Sequence, residues 1–558
     1  MQQPNLRTNH SHERLKQLGI LVVLLFGLSR TWIGRYSMGA DGISYLDLSD
    51  AFRRHDWPGF LNAYWSPLYP MLLGIGRMVL PASKPGELIA AHVVNFFIYV
   101  AALGCFEFFY RELRKATVAT VPCTGDDSVR LPEWALWSVA HALFLWTSLD
   151  LITVWDVSPD LCVSAFVYAI AGLLLRFRDD PSWKHALALG TVLGASYWAK
   201  AVMFPLAFAF MAIALFSSRS LRLAAKRGLV MALFFAVVAG PLVAALSRQK
   251  HRLTFGDSGR INYAMFVSPG GATRNWQGEP QFGIAAVHPT RQLLSDPPVY
   301  EFAEPIGGTF PPWYDPSYWE EGRVPVFNLK AQARVVIGHL LSYAELLLHR
   351  QNCLLAASLA LLMVARRNAI AELGKMWPLL LMCCAALGLY MLVHVETRFI
   401  GGYVAISWLT LFSTFRVPSH LGRFSGYLLL AVSGVMLISV VDETTRAVRE
   451  GGPYSAMTNV VLSDRLDAMG LHAGDRIAIV GGGGIYAARL SRVKIVAEIM
   501  GEDTPAFWRL TPEKTGIVFQ KMAESGARMV LAPDPGPALR VDSSWVKVEG
   551  LPFYMHRL

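Results

Sequence analysis

The sequence predicts an α-helical polytopic membrane protein with a small α/β domain at its C-terminal end. Of the 558 residues, 53% are hydrophobic and only 16% are charged, which is typical of a chain that lies mostly in a bilayer. Apolar runs recur through residues 1–445, whereas residues 455–558 alternate short apolar segments with glycine-rich and polar ones. This composition excludes an ordinary soluble globular protein.

Apolar runs near the length that crosses a bilayer, about 20 residues, occur about eleven times in the first 445 residues. We expect transmembrane helices at residues 17–34, 87–110, 132–150, 154–175, 185–200, 201–216, 228–246, 351–365, 376–394, 401–415 and 425–441. No A-x-A-like cleavage site follows the first run, so we expect it to be retained as a membrane helix.

The distribution of Lys and Arg predicts which side faces the cytoplasm. Basic residues cluster in alternate short connections, for example at Arg114, Arg222 and Arg423. The positive-inside rule assigns these connections and the N-terminus to the cytoplasm of a plasma (inner) membrane protein. Loops 35–86 and 247–334 and the C-terminal domain then face outward. The net charge of +10 reflects this topology, and no nucleic-acid partner is predicted.

Each outer loop has its own character. The stretch from Ile43 to Trp57 mixes apolar and charged residues and predicts a helix lying along the membrane surface. The loop 247–334 is rich in Pro, Gly, Tyr and Trp, and we expect it to lack regular elements. A loop of that kind is usually a lid or a binding loop.

The tail predicts strands near 476–480, 493–497 and 528–532, with a turn and helix near 485–490. Between the first two strands, Gly482, Gly484 and Ala487 match G-x-G-x-x-A, with Glu498 further on. That pattern is typical of a dinucleotide-binding turn. The outward location argues against a nicotinamide cofactor, and a glycine-rich strand-to-helix turn is also an ordinary structural solution. We predict no cofactor.

The cysteines and histidines carry no clear site signal. The six cysteines lie mostly in apolar runs, without the spacing of a disulfide framework or a metal site. No group of His, Asp and Glu has ligand spacing either, so no metal is predicted.

Asp41 is the first candidate for chemistry. It begins the sequence Asp41-Gly42-Ile43-Ser44-Tyr45, just beyond the first apolar run, and a carboxylate at the membrane edge is a functional candidate by default. Alternatively, Asp41 caps the helix that follows, since Asp is a favoured N-cap. Tyr45, one turn on, either contacts substrate or belongs to the interfacial aromatic belt.

Three segments together resemble a known family. They are the Asp41 element with the downstream Trp65-Ser66-Pro67-Leu68-Tyr69-Pro70-Met71-Leu72-Leu73, the stretch Gly194-Ala195-Ser196-Tyr197-Trp198-Ala199-Lys200, and His394-Val395-Glu396-Thr397-Arg398-Phe399. In order and predicted side they resemble the bacterial branch of the GT-C glycosyltransferases, which includes the protein O-mannosyltransferases and the lipid A aminoarabinose transferase (glycosyltransferase family 39-like). One departure is Ser66, where many relatives carry a basic residue.

The resemblance implies a membrane glycosyltransferase with a GT-C-like fold over residues 1–445. Such an enzyme moves a sugar from a polyprenyl-phosphate donor to a hydroxyl of a protein, lipid or glycan at the outer face, with inversion. Asp41 is then the general base, and Lys200 and Arg398 are the cations that meet the phosphate.

Other residues complete the predicted substrate site and carry open alternatives. Tyr69, Glu396 and Asp156 are further candidates for substrate binding. Glu396 and Arg398 could instead simply pair with each other, and Lys200 could be a snorkelling stem. Asp156 and Asp160 are either second acids beside Asp41 or ordinary loop residues. The alternative function is a transporter or flippase, which would be expected to hold its charges near the bilayer midplane.

Overall fold

The computed structural model describes residues 6–80, 83–118, 127–218, 220–271, 274–305, 307–365, 369–450, 452, 456–537 and 541–558. Helices make up most of the chain as far as residue 449, and a mixed sheet with four further helices follows. The helices of the first part are α1 (Leu6–Ile33), α2 (Ala40–Arg53), α3 (Trp57–Phe60), α4 (Leu68–Val79), α5 (Lys84–Val118), α6 (Glu133–Trp146), α7 (Asp160–Asp179), α8 (Trp183–Ala199), α9 (Met203–Ser217), α10 (Leu221–Gln249), α11 (Ser258–Phe266), α12 (Pro311–Tyr314), α13 (Pro316–Trp319), α14 (Leu329–Glu345), α15 (Asn352–Val364), α16 (Ala369–Gly374), α17 (Trp377–Val393), α18 (Thr397–Thr414) and α19 (Gly422–Arg449).

The remaining elements belong mainly to the sheet. The strands are β1 (Ser128–Arg130), β2 (Arg291–Ser295), β3 (Pro298–Glu301), β4 (Arg416–Pro418), β5 (Arg476–Val480), β6 (Lys494–Ile499), β7 (Met529–Pro533), β8 (Val546–Lys547) and β9 (Phe553–Arg557). The C-terminal helices are α20 (Ala456–Ala468), α21 (Ile485–Ser491), α22 (Thr504–Phe507) and α23 (Pro512–Glu524).

Each predicted transmembrane run overlaps a described helix, although the run 154–175 begins six residues before α7. Among the described residues, five helices are long and apolar enough to cross a membrane. The helices Leu329–Arg350 and Asn352–Val364 meet at a bend of 80°, and they make a sixth span if they are counted together as one. Shorter apolar helices include Met203–Ser217 and Trp377–Val393. The molecule is therefore a helical membrane protein, and the number of eleven spans stays a prediction.

The segment 247–334 differs from its prediction as a loop without regular elements. It contains α11, α12, α13 and the hairpin of β2 and β3, and α14 begins within it at Leu329. Strand β3 pairs with β6 through Tyr300 opposite Glu498. The prediction was wrong because this pairing joins residues almost 200 positions apart, and nothing in the local sequence of either strand indicates it.

The sheet has the order β2-β3-β6-β5-β7-β9-β8. Its centre is parallel, with β5 between β6 and β7, and antiparallel strands flank it on both sides. Apolar side chains cover both faces, which explains why β5 and β6 read as continuous hydrophobic runs. The predicted strands near 476–480, 493–497 and 528–532 coincide with β5, β6 and β7.

The glycine-rich turn between β5 and α21 is shaped by packing. Gly481, Gly482 and Gly484 all have positive φ, which side-chain-bearing residues adopt at a cost. A Cβ on Gly484 would lie 2.2 Å from Leu531. Glu498 is buried and accepts hydrogen bonds from Asn275 and Arg274, so the carboxylate that would bind a ribose in a dinucleotide site already has partners.

Helix α2 is wedged inside the molecule, not laid along its surface. Most of its residues, including Asp47, are buried. Its carboxylates face cations from other elements: Asp50 bonds Arg77 of α4 at 2.8 Å and Arg489 of α21 at 2.7 Å. The prediction of a surface helix was wrong because the charged face that suggested contact with water meets the α/β domain. This contact joins the two parts of the protein next to Asp41.

Candidate active site

Asp41 lies in the first turn of α2, where the chain leaves α1. Gly39 precedes the helix with φ of 71°, and a Cβ there would lie 3.0 Å from Oδ1 of Asp156. Glycine therefore lets the loop 151–159 approach the start of α2. The Asp41 side chain is 20% exposed, and its Oδ2 forms an ion pair with the Arg398 guanidinium at 2.8 Å.

Arg398 is the centre of the charge cluster. Besides Asp41, its guanidinium meets Oε2 of Glu396 at 2.6 Å and Oδ2 of Asp160 at 3.4 Å. His394 Nε2 lies 3.1 Å from the other Glu396 oxygen. Burial raises the pKa of Glu396, but hydrogen bonds from His394 and Arg398 outweigh burial and bring it to about 2. Glu396 is thus ionised and holds the guanidinium in place.

Lys200 joins the same cluster from the end of α8. Its ammonium contacts Oδ1 of Asp160 at 2.5 Å and lies 3.6 Å from the centre of the Phe399 ring. Asp160, the first residue of α7, is buried and bridges Lys200 and Arg398. The alternative in which Arg398 pairs only with Glu396 therefore does not describe the geometry, because three carboxylates surround it.

Asp156 lies beside this cluster without joining it. Its side chain is half-buried and forms no ion pair or hydrogen bond with the residues that the structure describes. Burial raises its pKa to about 7, with Arg398 opposing the shift. An unpaired carboxyl group that titrates near neutral pH is available to a ligand.

The two candidate tyrosines have different surroundings. Tyr45 packs edge-on against Trp65 and Tyr69 at ring distances of 5.1 and 5.2 Å, and it borders a cavity. Tyr69 is fully buried, and its hydroxyl donates to Asn95 Oδ1 at 2.7 Å. It is not among the residues that line a cavity beside Asp41, so substrate contact by Tyr69 stays a prediction without support from the geometry.

Two cavities meet at Asp41, Glu396 and Arg398. The polar cavity, of 410 Å³, is also lined by Asp150, Asp156 and Tyr486. The apolar cavity, of 290 Å³, lies between α9, α11 and α17, and its lining includes Lys200, Asp160, Val202, Phe255, Phe266, Leu389, Val393 and Phe399. Ser66 borders the apolar cavity as well. The Asp41 carboxylate thus borders a polar cavity and an apolar one.

Sequence reasoning missed two residues of this site. Asp150 lies in the π-helical turn Thr147–Leu151 that follows α6 and bonds buried Arg30, and the apolar run 132–150 gave no reason to single it out. Tyr486 comes from α21, more than 400 positions after Asp41. The glycine-rich turn before Tyr486 was the available signal, but it indicated a dinucleotide site. Among the described residues, no group of three or more His, Cys, Asp or Glu side chains is arranged to hold a metal ion.

Comparisons with known proteins show similarity at the level of structure. No protein-family model and no curated protein sequence matches the chain. The crystal structure of ArnT from Cupriavidus metallidurans in the apo state superposes with a TM-score of 0.54 at 12% identity, covering 98% of both chains. The same protein bound to undecaprenyl phosphate gives 0.48 at 11% identity over 96% and 97% of the two chains. The Archaeoglobus fulgidus oligosaccharyltransferase in the apo form gives 0.46 at 11% identity over 93% of this chain and 69% of that one.

The superposition on apo ArnT, the lipid A aminoarabinose transferase, covers 98% of this chain. It confirms the fold resemblance that the three sequence segments predicted.

Proposed function

Because the chain has the GT-C fold, we propose that it is a membrane glycosyltransferase that moves a sugar from a polyprenyl-phosphate donor to an acceptor hydroxyl. The observation that carries this proposal is the position of Asp41 where the apolar and polar cavities meet. A lipid-linked donor needs an apolar space, its acceptor needs a polar one, and the base must reach both.

The proposed chemistry uses Asp41 as general base. Its carboxylate takes the proton of the acceptor hydroxyl while that oxygen bonds to the anomeric carbon of the sugar. The bond from this carbon to the phosphate oxygen breaks, and the polyprenyl phosphate leaves with the electron pair. Attack from the side opposite the phosphate inverts the anomeric centre. Arg398 favours the ionised form of Asp41 and orients the carboxylate through their 2.8 Å ion pair.

In this proposal the apolar cavity holds the first isoprene units, and Lys200 and Arg398 meet the phosphate. Both cations already face carboxylates, since Asp41, Asp160 and Glu396 surround them. We therefore expect the phosphate to replace Asp160 as the partner of Lys200, while Glu396 retains Arg398. Charge-assisted hydrogen bonds then stabilise the negative charge that grows on the leaving phosphate.

The proposed topology has eleven spans in a plasma (inner) membrane, a cytoplasmic N-terminus and an extracytoplasmic α/β domain. Asp41, Asp160, Lys200 and Arg398 come from ends of helices that this topology assigns to the outer side. A transporter would be expected to hold such charges near the bilayer midplane, on broken helices, so the arrangement favours an enzyme.

Asp41→Asn tests the base. The purified full chain is incubated with radiolabelled polyprenyl-phosphate sugars and an envelope extract as acceptor source. Because the amide keeps the shape but cannot take a proton, we expect transfer to fall about 100-fold or more. Asp56→Asn is the matched control, since Asp56 is an exposed acid that caps α3 and Asn also caps. Near-normal transfer by Asp41→Asn would rule out the role.

Lys200→Gln and Arg398→Gln test the donor site. Each removes a cation from the cluster, and we expect each to weaken binding of a polyprenyl-phosphate sugar about tenfold or more. Arg398→Lys should be partly defective because an ammonium cannot replace the planar fork. Glu396→Gln is the comparison variant. We expect it to lower the melting temperature while changing donor affinity less than either cation variant does. If both cation variants bind donor like the unmodified protein, the phosphate binds elsewhere.

A further inference from the structure

One side chain of the α/β domain reaches the polar cavity. Tyr486 is the second residue of α21, directly after the glycine-rich turn, and it lines the cavity wall together with residues of the membrane part. Both Ile485 and Tyr486 pack against the membrane core. Gly484, directly before α21, has a positive φ, and a Cβ there would lie 2.2 Å from Leu531, so the turn at this point requires glycine. The turn that resembles a dinucleotide fingerprint therefore delivers an aromatic side chain to the space next to Asp41.

The C-terminal part of α21 also contacts the membrane part, through ion pairs of Arg489. Arg489, one turn after Tyr486, is buried and bonds Asp47 and Asp50 of α2 at 3.2 and 2.7 Å, as well as Glu87 of α5. Arg489 thus ties α21 to α2, the helix that carries Asp41, and Tyr486 and Asp41 line the same cavity. Tyr486 therefore forms part of the wall of the polar cavity in the folded protein.

The charged groups of the cavity are mostly negative. Asp41, Asp150, Asp156 and Glu396 line it, against the single guanidinium of Arg398. Arg398 is engaged by Asp41 and Glu396, and Asp150 is engaged by Arg30. The backbone carbonyl of Asp156 accepts a hydrogen bond from Asn95, but the carboxylate of Asp156 and the hydroxyl of Tyr486 have no hydrogen-bond partner among the described residues. They are the groups left to meet a ligand.

These groups suit one kind of acceptor. Carboxylates accept hydrogen bonds from hydroxyls, and a tyrosine offers an apolar ring face with a polar tip. The volume of 410 Å³ lies in the range of pockets for small molecules, about 300–1,000 Å³. A phosphate or carboxylate in the same space would be repelled by the surplus of negative charge.

We propose that the polar cavity takes a carbohydrate acceptor without phosphate or carboxylate groups, and that Tyr486 is the specificity-determining residue through which the α/β domain contacts it. This inference rests on the proposed function, because the polar cavity is an acceptor site only if Asp41 activates a hydroxyl there. Tyr486 is a contact residue for the acceptor and takes no part in the proton transfer.

Binding without turnover provides the test. The purified full chain in detergent is examined by saturation-transfer NMR with maltose, cellobiose, mannobiose and chitobiose, and with the 1-phosphate of each, in the absence of donor. We expect at least one neutral disaccharide to bind, and its 1-phosphate to bind about tenfold more weakly or not at all. Absence of binding by every neutral probe, or tighter binding of a phosphorylated probe, would overturn the proposal.

Variants at Tyr486 and Asp156 assign the binding to this cavity. Tyr486→Leu keeps apolar packing against the membrane core but loses the ring, and we expect it to weaken disaccharide binding at least fivefold. Tyr486→Phe should lose less, and a thermal melt of each variant reports folding. Asp156→Asn should relieve the exclusion of the phosphorylated probe. Unchanged binding in a folded Tyr486→Leu protein would contradict the proposal.

The two proposals can fail separately. If Tyr486-dependent disaccharide binding is found but no polyprenyl-phosphate sugar supports transfer, the cavity is a carbohydrate site and the glycosyltransferase proposal fails. If transfer depends on Asp41 but Tyr486→Leu leaves disaccharide binding and acceptor preference unchanged, the enzyme stands and the role of Tyr486 falls.

Discussion

At the scale of single residues, two opposed effects determine the pKa of Asp41. Burial raises its pKa above the ordinary value, and the neighbouring Arg398 opposes this shift without cancelling it. A general base must be ionised, so activity should fall as the pH drops through this pKa. Without the guanidinium the pKa rises, because an opposite charge within about 4–6 Å lowers a carboxyl pKa by about 1–3 units.

We therefore expect Arg398→Gln to move the acidic limb of the pH profile upward by about one pH unit or more. The measurement is single-turnover transfer with enzyme in excess, so that weakened donor binding does not hide the limb. Lys200→Gln is the control, since Lys200 pairs with Asp160 and not with Asp41, and it should shift the limb less. An unchanged limb in Arg398→Gln would show that Asp41 is not the titrating base.

Asp156 predicts a pH dependence of stability. Its pKa is raised to about 7 in the folded protein from an ordinary value of about 3.9. The folded state thus favours the neutral form, and the stability it contributes is present below about pH 4 and lost as the pH rises through about 7. We expect the melting temperature of Asp156→Asn to equal that of the unmodified protein near pH 4 and to exceed it near pH 8. A difference independent of pH would contradict this assignment.

At the scale of elements, α21, α2, α4 and α5 are joined by a buried ion-pair network. Arg489 lies among Asp47, Asp50 and Glu87, and Arg77 bonds Asp50 and Glu87 at 2.8 and 3.1 Å. Burying so many charges is tolerable only while each is matched. The network therefore contributes little net stability as a whole, but removing one member leaves others unpaired.

We expect Arg489→Met to destabilise the folded protein by about 3–5 kcal/mol, the cost of an uncompensated buried charge. Adding Glu87→Gln to Arg489→Met should restore part of this loss, because it removes one of the unpaired carboxylates. Arg492→Met is the matched control, since Arg492 is 44% exposed and lies 3.9 Å from Glu87; its effect should be within about 1 kcal/mol. Thermal unfolding of the four proteins in detergent measures the differences, and equal effects of the two arginines would contradict a buried network.

The elements that the sequence predicted are those with a strong local signal. Apolar runs predicted the positions of the five described helices that are long and apolar enough to cross a membrane, and β5, β6 and β7 followed from short continuous apolar stretches. Strands β2 and β3 were missed because β3 pairs with β6, which is distant in the chain, and the edge strand β2 pairs with β3. Helix α2 was predicted on the surface because its aspartates suggested water, whereas their partners Arg77 and Arg489 come from elsewhere.

At the scale of the whole molecule, the candidate site combines residues from five separate segments. The motifs singled out Asp41, Lys200, Glu396 and Arg398, and the structure brings their side chains into one cluster. Their pairing through Asp160 could not be predicted, since it depends on how α7, α8 and α18 pack. The position of Tyr486 could not be predicted for the same reason, because it depends on the contact between the α/β domain and the membrane part, which places Tyr486 in the same cavity as Asp41.

The orientation in the membrane is the remaining whole-molecule prediction. Basic residues lie in the terminal turns of helices, as at Arg114 near the end of α5 and Arg222 at the start of α10. The positive-inside rule assigns these helix ends to the cytoplasm, and the helix ends that carry Asp41, Lys200 and Arg398 to the other side. Reporter fusions measure this directly. A reporter that is active only outside the cytoplasm should be active when fused after residue 450 and inactive when fused after residue 115, and a reporter that folds only in the cytoplasm should give the reverse. Strong activity of the cytoplasmic reporter after residue 450 would put the α/β domain inside. The polar cavity would then open to the cytoplasm, and an outward-facing transfer reaction would be excluded.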